Sequence, residues 1–169
     1  SALCRETLVQ SGDPALGLEF GKRLKFTTHG SLAQAAISCD TLEQALTVLI
    51  KYFQIRFVYM SLSFFVEEHE AVIQLDLAHS IEDLYRFNVD VVMASLMDVN
   101  LLLFGHRLLD GGRCLLDFPE PDDLSAYRQL FGSQIAFGSG VNQLRLKRVF
   151  MDFPMSLSNP LTRRIAEWQ

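Results

Sequence analysis

The sequence has few of the residues from which disulfide frameworks and metal centres are built. The 169 residues contain only three cysteines, Cys4, Cys39 and Cys114, and no two of them have CxxC spacing. An odd number of widely separated cysteines argues against a disulfide scaffold and is typical of a cytoplasmic protein. The four histidines show neither HExxH nor HxH spacing. The sequence therefore predicts no metal site and no bound cofactor.

Basic residues and long apolar runs are also scarce. The chain has fifteen Lys and Arg residues and twenty Asp and Glu residues, which gives a net charge of −5. A domain that binds nucleic acid usually carries a basic surface, so we expect this chain alone not to bind duplex DNA. The most apolar segment, 89–104, contains Asp90, Asp98 and Asn100. A membrane span needs about 20 apolar residues, so none is predicted, and charges near the N-terminus predict no signal peptide.

Common catalytic motifs are missing as well. The chain has no G-x-S-x-G elbow and no glycine-rich loop followed by Lys-Ser or Lys-Thr, so we do not expect an enzyme. It has instead 49% apolar residues, including thirteen phenylalanines. This composition supports a sizeable core, and the length predicts one domain over residues 1–169.

Hydrophobic periodicity predicts an α+β fold with a mainly antiparallel sheet, one long buried helix and a helical N-terminal segment. Residues 57–66 and 71–77 alternate in polarity around a polar turn and predict a hairpin. Asp40 is predicted to cap a helix that ends near residue 53. Further helices are predicted over 1–9, from 14, over 32–38, over 81–109, from 122 or 123 to 130, and over 161–169, with strands over 113–118, 134–137 and 142–148.

The long predicted helix is the most informative segment, because it is apolar nearly all round yet carries charged residues. A helix of this kind is buried on most sides, and a buried polar group is costly unless it is paired. Arg86, Asp90, Asp98 and Asn100 are therefore candidate ligand-binding residues, with Tyr59 of the first predicted strand opposite them. The alternative is that Arg86 and Asp90 pair along the helix and that Asp98 reaches solvent.

Several stretches together carry a family resemblance. Read in order, they are DPALGLEFG at 13–21, TLEQAL at 41–46, RCLLDFP at 113–119, YRQLFG at 127–132, IAFG at 135–138 and NQL at 142–144. They resemble the N-terminal, arabinose-binding-like domain of AraC-family transcription regulators, over about residues 13–166. The resemblance implies an effector-binding, homodimerising domain that acts on DNA through a separate pair of helix-turn-helix motifs. No such motif occurs in this chain.

Two functions remain open at this point. In the first, the domain binds a small organic effector. Arg86 would suit a carboxylate and Asp90 or Asp98 an amine, which favours an amino acid or related metabolite. In the second, the domain is an oligomerisation module with no ligand of its own. A pocket of about 300 Å³ with convergent polar groups would favour the first, and a filled core with an exposed apolar patch the second.

Overall fold

The computed structural model describes residues 15–24, 35–36, 38–77, 84–104 and 111–152. The side chains of Arg56 and of residues 100–104 are outside this description, as are the helices predicted over 1–9 and 161–169. The helices are α1 (Leu16–Arg23), α2 (Leu42–Arg56), α3 (Tyr85–Phe104) and α4 (Ser125–Phe131). The strands are β1 (Met60–Val66), β2 (Glu70–Leu77), β3 (Arg113–Leu115), β4 (Ile135–Ala136) and β5 (Asn142–Lys147), followed by a 3₁₀ turn over Arg148–Phe150.

The five strands form one sheet in the order β1-β2-β5-β3-β4. Every neighbouring pair is antiparallel except β3 and β4, which are parallel. This topology confirms the predicted α+β fold with a mainly antiparallel sheet. The predicted hairpin is present, but β1 begins at Met60 rather than at residue 57. The preceding residues complete the exit from α2, where the N–H of Phe57 still donates to the carbonyl oxygen of Phe53.

The core lies between α3 and one face of the sheet. The long helix was predicted to be buried, and the structure confirms this over the part of α3 that has described side chains. Its apolar residues share one cluster with the inward-facing residues of β1, β2 and β5. That cluster includes Val89, Val92, Met93 and Met97 of α3, and Leu62, Ile73, Leu75, Leu144 and Leu146 of the sheet.

The start of α2 differs from the prediction by one residue. The N-cap is Thr41, whose hydroxyl accepts the N–H of Gln44 at 3.3 Å, so the prediction of Asp40 as the cap is wrong. The Gln44 side chain in turn accepts the N–H of Asp40 at 3.0 Å. The side chains of Thr41 and Gln44 each accept a backbone N–H, as in a capping box. This arrangement begins one residue later than the predicted one. This start places Leu42 in the core.

Helix α1 packs against α3 through two glycines four residues apart. A Cβ built on Gly17 would lie 2.7 Å from the Cβ of Asp90 and 2.8 Å from the carbonyl oxygen of Phe87. A Cβ built on Gly21 would lie 2.6 Å from the carbonyl oxygen of Val91. All three distances are too short for a real side chain. The helix backbones therefore approach closely only because both positions are glycine.

This contact predicts whether replacing one of these glycines stabilises or destabilises the protein. In an exposed helix, replacing Gly with Ala stabilises by up to about 1 kcal/mol. In Gly21→Ala, the methyl group meets backbone on α3, and such overpacking costs about 1–3 kcal/mol. We therefore expect Gly21→Ala to lower the free energy of unfolding measured with urea. Glu19→Ala, on the exposed side of the same helix, is the control and should change it by less than about 1 kcal/mol. A Gly21→Ala protein as stable as the wild type would contradict the close packing.

Candidate functional site

Three polar side chains from two helices form a buried hydrogen-bonded cluster. The Tyr127 hydroxyl donates to the carboxylate of Asp90, with its oxygen 2.9 Å from Oδ1 and 2.8 Å from Oδ2. Arg86 Nε and Nη2 donate to the same hydroxyl oxygen at 3.3 and 3.1 Å. Arg86 Nε also lies 3.7 Å from Asp90 Oδ2. Tyr127 thus bridges an ion pair whose members are one helical turn apart on α3.

The cluster runs from the surface into the core. The side chain of Asp90 is 1% exposed and that of Arg86 is 33% exposed, so only the guanidinium side of the pair reaches solvent. The Arg86 guanidinium lies over the ring of Phe118, 5.2 Å from its centroid. The Tyr127 ring is buried and packs edge-on against Phe137, with centroids 5.3 Å apart. Aromatic rings therefore form the walls around the polar groups and hold the guanidinium by cation–π attraction.

Burial changes the proton affinity of this cluster. Loss of solvation raises the pKa of the Asp90 carboxyl from its usual 3.8 to about 7, although the Tyr127 hydrogen bond and the Arg86 charge both lower it. Asp90 therefore changes protonation state near neutral pH. Burial also raises the pKa of Tyr127, so its hydroxyl stays protonated and remains a donor. Burial, together with the charge of Asp90, raises the pKa of Cys114, which keeps that thiol protonated and unreactive.

A second polar cluster lies beside the first. The Tyr85 hydroxyl donates to Asp117 Oδ2 and accepts from Asn142 Nδ2 at 2.9 Å. The backbone N–H of Asp117 donates to Asn142 Oδ1 at 3.1 Å. Burial and the bond to Asp117 raise the pKa of Tyr85 to about 12. Asp117 Oδ1, in contrast, is buried and has no hydrogen-bond partner in the part of the chain that the structure describes.

The two clusters are neighbours along both chain segments that build them. Tyr85 and Arg86 are consecutive on α3, and Asp117 and Phe118 are consecutive in the segment after β3. The first cluster offers a partly exposed cation, and the second offers a buried, unpaired carboxylate oxygen. A partly exposed guanidinium and a buried carboxylate oxygen without a partner are thus built from the same two segments.

The structure brings together only part of the predicted ligand-binding set. Arg86 and Asp90 meet, as the alternative interpretation of an intrahelical pair required. Asp98 is half-buried about two turns further along α3, and Asn100 lies on α3 with its side chain outside the description. Tyr59 precedes β1, is 58% exposed and takes no part in the hydrogen bonds of either cluster.

Four residues of the two clusters are missing from that predicted set: Tyr85, Asp117, Tyr127 and Asn142. Tyr127 occupies the first position of YRQLFG, Asp117 the fifth of RCLLDFP, and Asn142 the first of NQL. A signal was present for these three, because each is a polar residue at the edge of an apolar stretch within a resemblance motif, whereas Tyr85 lies in none of the motifs. Periodicity alone could not show that α4 and the segment after β3 return to the start of α3.

The outer face of the sheet has ion pairs that satisfy one another. Glu70 accepts from Arg113 at 2.8 Å and from Arg145 at 2.6 Å, and Arg145 also bonds Glu67 at 2.7 Å. These contacts, led by the bond from Arg113, lower the pKa of Glu70. These groups have partners, whereas Asp117 Oδ1 has none among the described residues, so this face is a weaker candidate for ligand recognition than the α3 clusters.

The described residues also line a small, partly open apolar cavity between α3, α4 and the sheet. Its volume is about 10 Å³, the lower limit for a single water molecule, and Met97, Cys114, Phe131 and Leu144 are among its lining residues. Within the described ranges, no group of three or more His, Cys, Asp or Glu residues could hold a metal ion. No helix in those ranges is both long and apolar enough to cross a membrane.

Comparison with known proteins gives a family match over most of the chain. A family model described as the N-terminal arabinose-binding domain of AraC transcription regulator matches residues 1–155. The ornithine utilization regulator of Pseudomonas aeruginosa is 28% identical over 158 residues, which are 94% of this chain and 46% of that protein. An uncharacterised HTH-type transcriptional regulator of Mycobacterium tuberculosis is 26% identical over 85 residues, 50% of this chain and 25% of that protein.

A solved structure has the same fold. The crystal structure of the transcriptional regulator CdpR from Pseudomonas aeruginosa superposes with a TM-score of 0.67 at 16% identity. The match covers 92% of this chain and 51% of CdpR. The chain therefore spans about half the length of CdpR and of the ornithine utilization regulator.

The proton affinity of Asp90 predicts a pH-dependent stability. With its pKa raised to about 7 in the folded state, Asp90 retains a proton that the unfolded chain releases above about pH 4. The contribution of the retained proton to the free energy of unfolding is complete below pH 4. It is lost as pH rises to 7, at up to about 1.4 kcal/mol per pH unit. Asp90→Asn keeps an acceptor for Tyr127 and removes the titration. We expect urea unfolding from pH 4 to 8 to show this loss in the wild type only.

Glu70 supplies an internal check on that measurement. Its lowered pKa gives the opposite slope, in which stability is lost as pH falls, and this contribution is common to the wild type and Asp90→Asn. It therefore cancels in the difference between the two proteins. Parallel stability curves across this pH range would show that Asp90 titrates normally.

Proposed function

Since this chain belongs to the family of arabinose-binding domains found at the N-terminus of AraC transcription regulators, we propose that it binds a small organic effector and controls a DNA-binding domain outside this chain. The observation that carries the proposal is the buried Arg86–Asp90–Tyr127 cluster. Ionisable groups in a core are costly, and a filled apolar core of similar volume would often be as stable. Their presence in α3 is explained if they recognise a polar ligand.

The chemistry of the two clusters favours an effector with both a carboxylate and an amine. Arg86 can take a carboxylate through its guanidinium, and this becomes easier when Asp90 is protonated and no longer neutralises it. An ammonium group could donate to Asp117 Oδ1, which lacks a partner among the described residues. The sequence relative that regulates ornithine utilization makes L-ornithine the first compound to test.

A second candidate function is an oligomerisation module with no ligand. It is favoured by the small volume of the described cavity and by the exposed apolar residues Ile55, Val58 and Tyr59. The two functions differ in one measurable property, because only an effector-binding domain is stabilised by a specific small molecule.

We expect L-ornithine or a related amino acid to raise the unfolding temperature of this chain. A ligand at one hundred times its Kd stabilises a folded protein by about 2.7 kcal/mol. The test is a thermal-shift screen of L-ornithine, other amino acids, polyamines, sugars and fatty acids, confirmed by titration calorimetry. Norvaline, 5-aminopentanoate and putrescine each lack one polar group of ornithine and so identify the groups that are recognised. If no compound in the screen binds, the oligomerisation module is the better description.

Substitutions in the two clusters locate the binding site. Arg86→Gln and Asp117→Asn should each weaken binding of the active compound at least tenfold while leaving a folded protein. Asp98→Ala tests the position further along α3 in the same way. Arg113→Gln, which removes an exposed guanidinium on the outer face of the sheet, is the matched control and should bind normally. Full binding by both Arg86→Gln and Asp117→Asn would exclude these clusters as the site.

The acidic charge of the chain predicts its behaviour toward DNA. With a net charge of −5 and no helix-turn-helix motif, this chain should not shift duplex DNA in a sequence-specific way at physiological salt. Electrophoretic mobility shift with the upstream region of a regulated operon checks this. A specific shift by this chain alone would show that DNA recognition does not require another domain.

A further inference from the structure

Arg86 has hydrogen-bond donors that the buried cluster does not use. Its Nε–H and one N–H of Nη2 donate to the Tyr127 hydroxyl, at 3.3 and 3.1 Å. Nη1 and the second N–H of Nη2 have no acceptor in the part of the chain that the structure describes. The guanidinium lies over the rings of Phe118 and Tyr127, 5.2 and 5.8 Å from their centroids, which hold its orientation. Its free Nη1–Nη2 edge is one on which a carboxylate forms two parallel hydrogen bonds.

The same guanidinium is the counter-charge of a carboxylate that does not reach solvent. The side chain of Asp90 is 1% exposed, and Arg86 Nε lies 3.7 Å from its Oδ2. Tyr127 donates a hydrogen bond to Asp90 but carries no positive charge. A buried carboxylate that loses its counter-charge takes up a proton more readily than it remains ionised. The charge state of Asp90 therefore depends on what Arg86 binds.

Few charged or titratable groups face Asp90 within the described ranges. Arg86 faces it from α3, Tyr127 from α4, and Cys114 from β3, where the charge of Asp90 helps to raise the pKa of the thiol. The residue of α1 at this contact is Gly17, and the residues of β1, β2 and β5 that pack against α3 belong to the apolar cluster. The other charged residues of α1, β3 and α4 are exposed or half-buried: Glu19, Lys22, Arg23, Arg113 and Arg128.

We propose that a carboxylate of the effector binds the free edge of Arg86 and that Asp90 then takes up one proton from solvent, so that effector binding is coupled to proton uptake. The effector carboxylate replaces Asp90 as the anion that neutralises Arg86, and Asp90 becomes a neutral carboxylic acid. The net charge of the cluster is zero before and after binding. The Tyr127 hydroxyl still donates to the unprotonated oxygen of Asp90. This inference rests on the proposed function, because it requires an effector that carries a carboxylate.

The coupling gives effector binding a defined pH dependence. Because the pKa of Asp90 is raised to about 7, its side chain is mostly ionised at pH 8 and mostly protonated at pH 6 in the free domain. Binding should therefore take up close to one proton at pH 8 and much less at pH 6. The affinity should fall as the pH rises above 7, by up to about tenfold per pH unit.

Titration calorimetry at pH 8 measures the proton uptake directly. The probe is L-ornithine, or the amino acid that the thermal-shift screen selects in its place. The titration is run in phosphate and in Tris, whose heats of ionisation differ, and the difference in apparent binding enthalpy gives the number of protons taken up. We expect close to one proton for the wild type and close to none for Asp90→Asn. Asp90→Asn should also bind more tightly than the wild type at pH 8, because no buried carboxylate competes for Arg86.

Glu70→Gln is the matched control for the calorimetry. It removes a carboxylate that is paired with arginines on the outer face of the sheet, away from Arg86. Its proton uptake and its affinity for the probe should equal those of the wild type. A change in Glu70→Gln as large as the change in Asp90→Asn would assign the proton to the general charge of the chain and overturn the proposal.

A second measurement needs no effector. Arg86→Gln removes the counter-charge of Asp90, so the midpoint of the Asp90 carboxyl titration, followed by carbon NMR, should rise by about one pH unit or more. Arg86→Lys keeps a positive charge and should move the midpoint less. Asp90→Asn assigns the carboxyl resonance, and circular dichroism verifies that each variant is folded. An unchanged midpoint in Arg86→Gln overturns the proposal, because Arg86 then does not hold Asp90 in its ionised form.

The possible outcomes separate this coupling from the proposed function. Binding of the probe at pH 8 without proton uptake overturns the coupling and leaves the proposed function intact. Equal uptake by the wild type and Asp90→Asn also overturns it, because the proton then goes to another group. Absence of binding by every compound in the screen overturns the proposed function, and the coupling with it.

Discussion

The burial of one carboxylate in the middle of an apolar helix is the constraint on which much of this structure depends. Asp90 is almost fully buried, and its neighbours are arranged to reduce the cost of that position. The Tyr127 hydroxyl donates to both of its oxygens, and Arg86 approaches from the surface along the same helix. Gly17 leaves the space that the Asp90 side chain occupies between α1 and α3. Three helices therefore meet at a single ionisable group, whose pKa of about 7 links their packing to pH.

Periodicity and turn residues predicted most of the fold, because those signals are local. The hairpin, the long buried helix and the mainly antiparallel sheet were all predicted, and the motif resemblance was confirmed by the family match. The errors lie at element ends. The cap of α2 is Thr41 rather than Asp40, and β1 begins at Met60 because the preceding residues complete a helix turn. The residue at which a helix or strand begins depends on which start places its apolar residues in the core. A short window of sequence does not contain that information.

The candidate site was predicted less completely, because it depends on contacts between distant segments. The pair of Arg86 and Asp90 follows from helical spacing alone. Tyr127 is 37 residues beyond Asp90 along the chain, and Asn142 is 57 residues beyond Tyr85. Only the tertiary structure brings these groups together. Tyr59 was expected on the first strand, but it lies outside β1 on the surface.

The two glycines of α1 have a consequence for its local stability. An isolated helix of eight residues is too short to persist in water, and a glycine in a helix interior, such as Gly21, costs about 1 kcal/mol relative to alanine. Helix α1 therefore owes its structure to the surface of α3, and it has little tendency to remain helical when that surface changes. Opening of α1 should be among the lowest-energy fluctuations of the described fold, and its amide hydrogens should exchange with solvent well before those of α3. A spectroscopic label on α1 would thus report rearrangements at Asp90 without itself being part of the cluster.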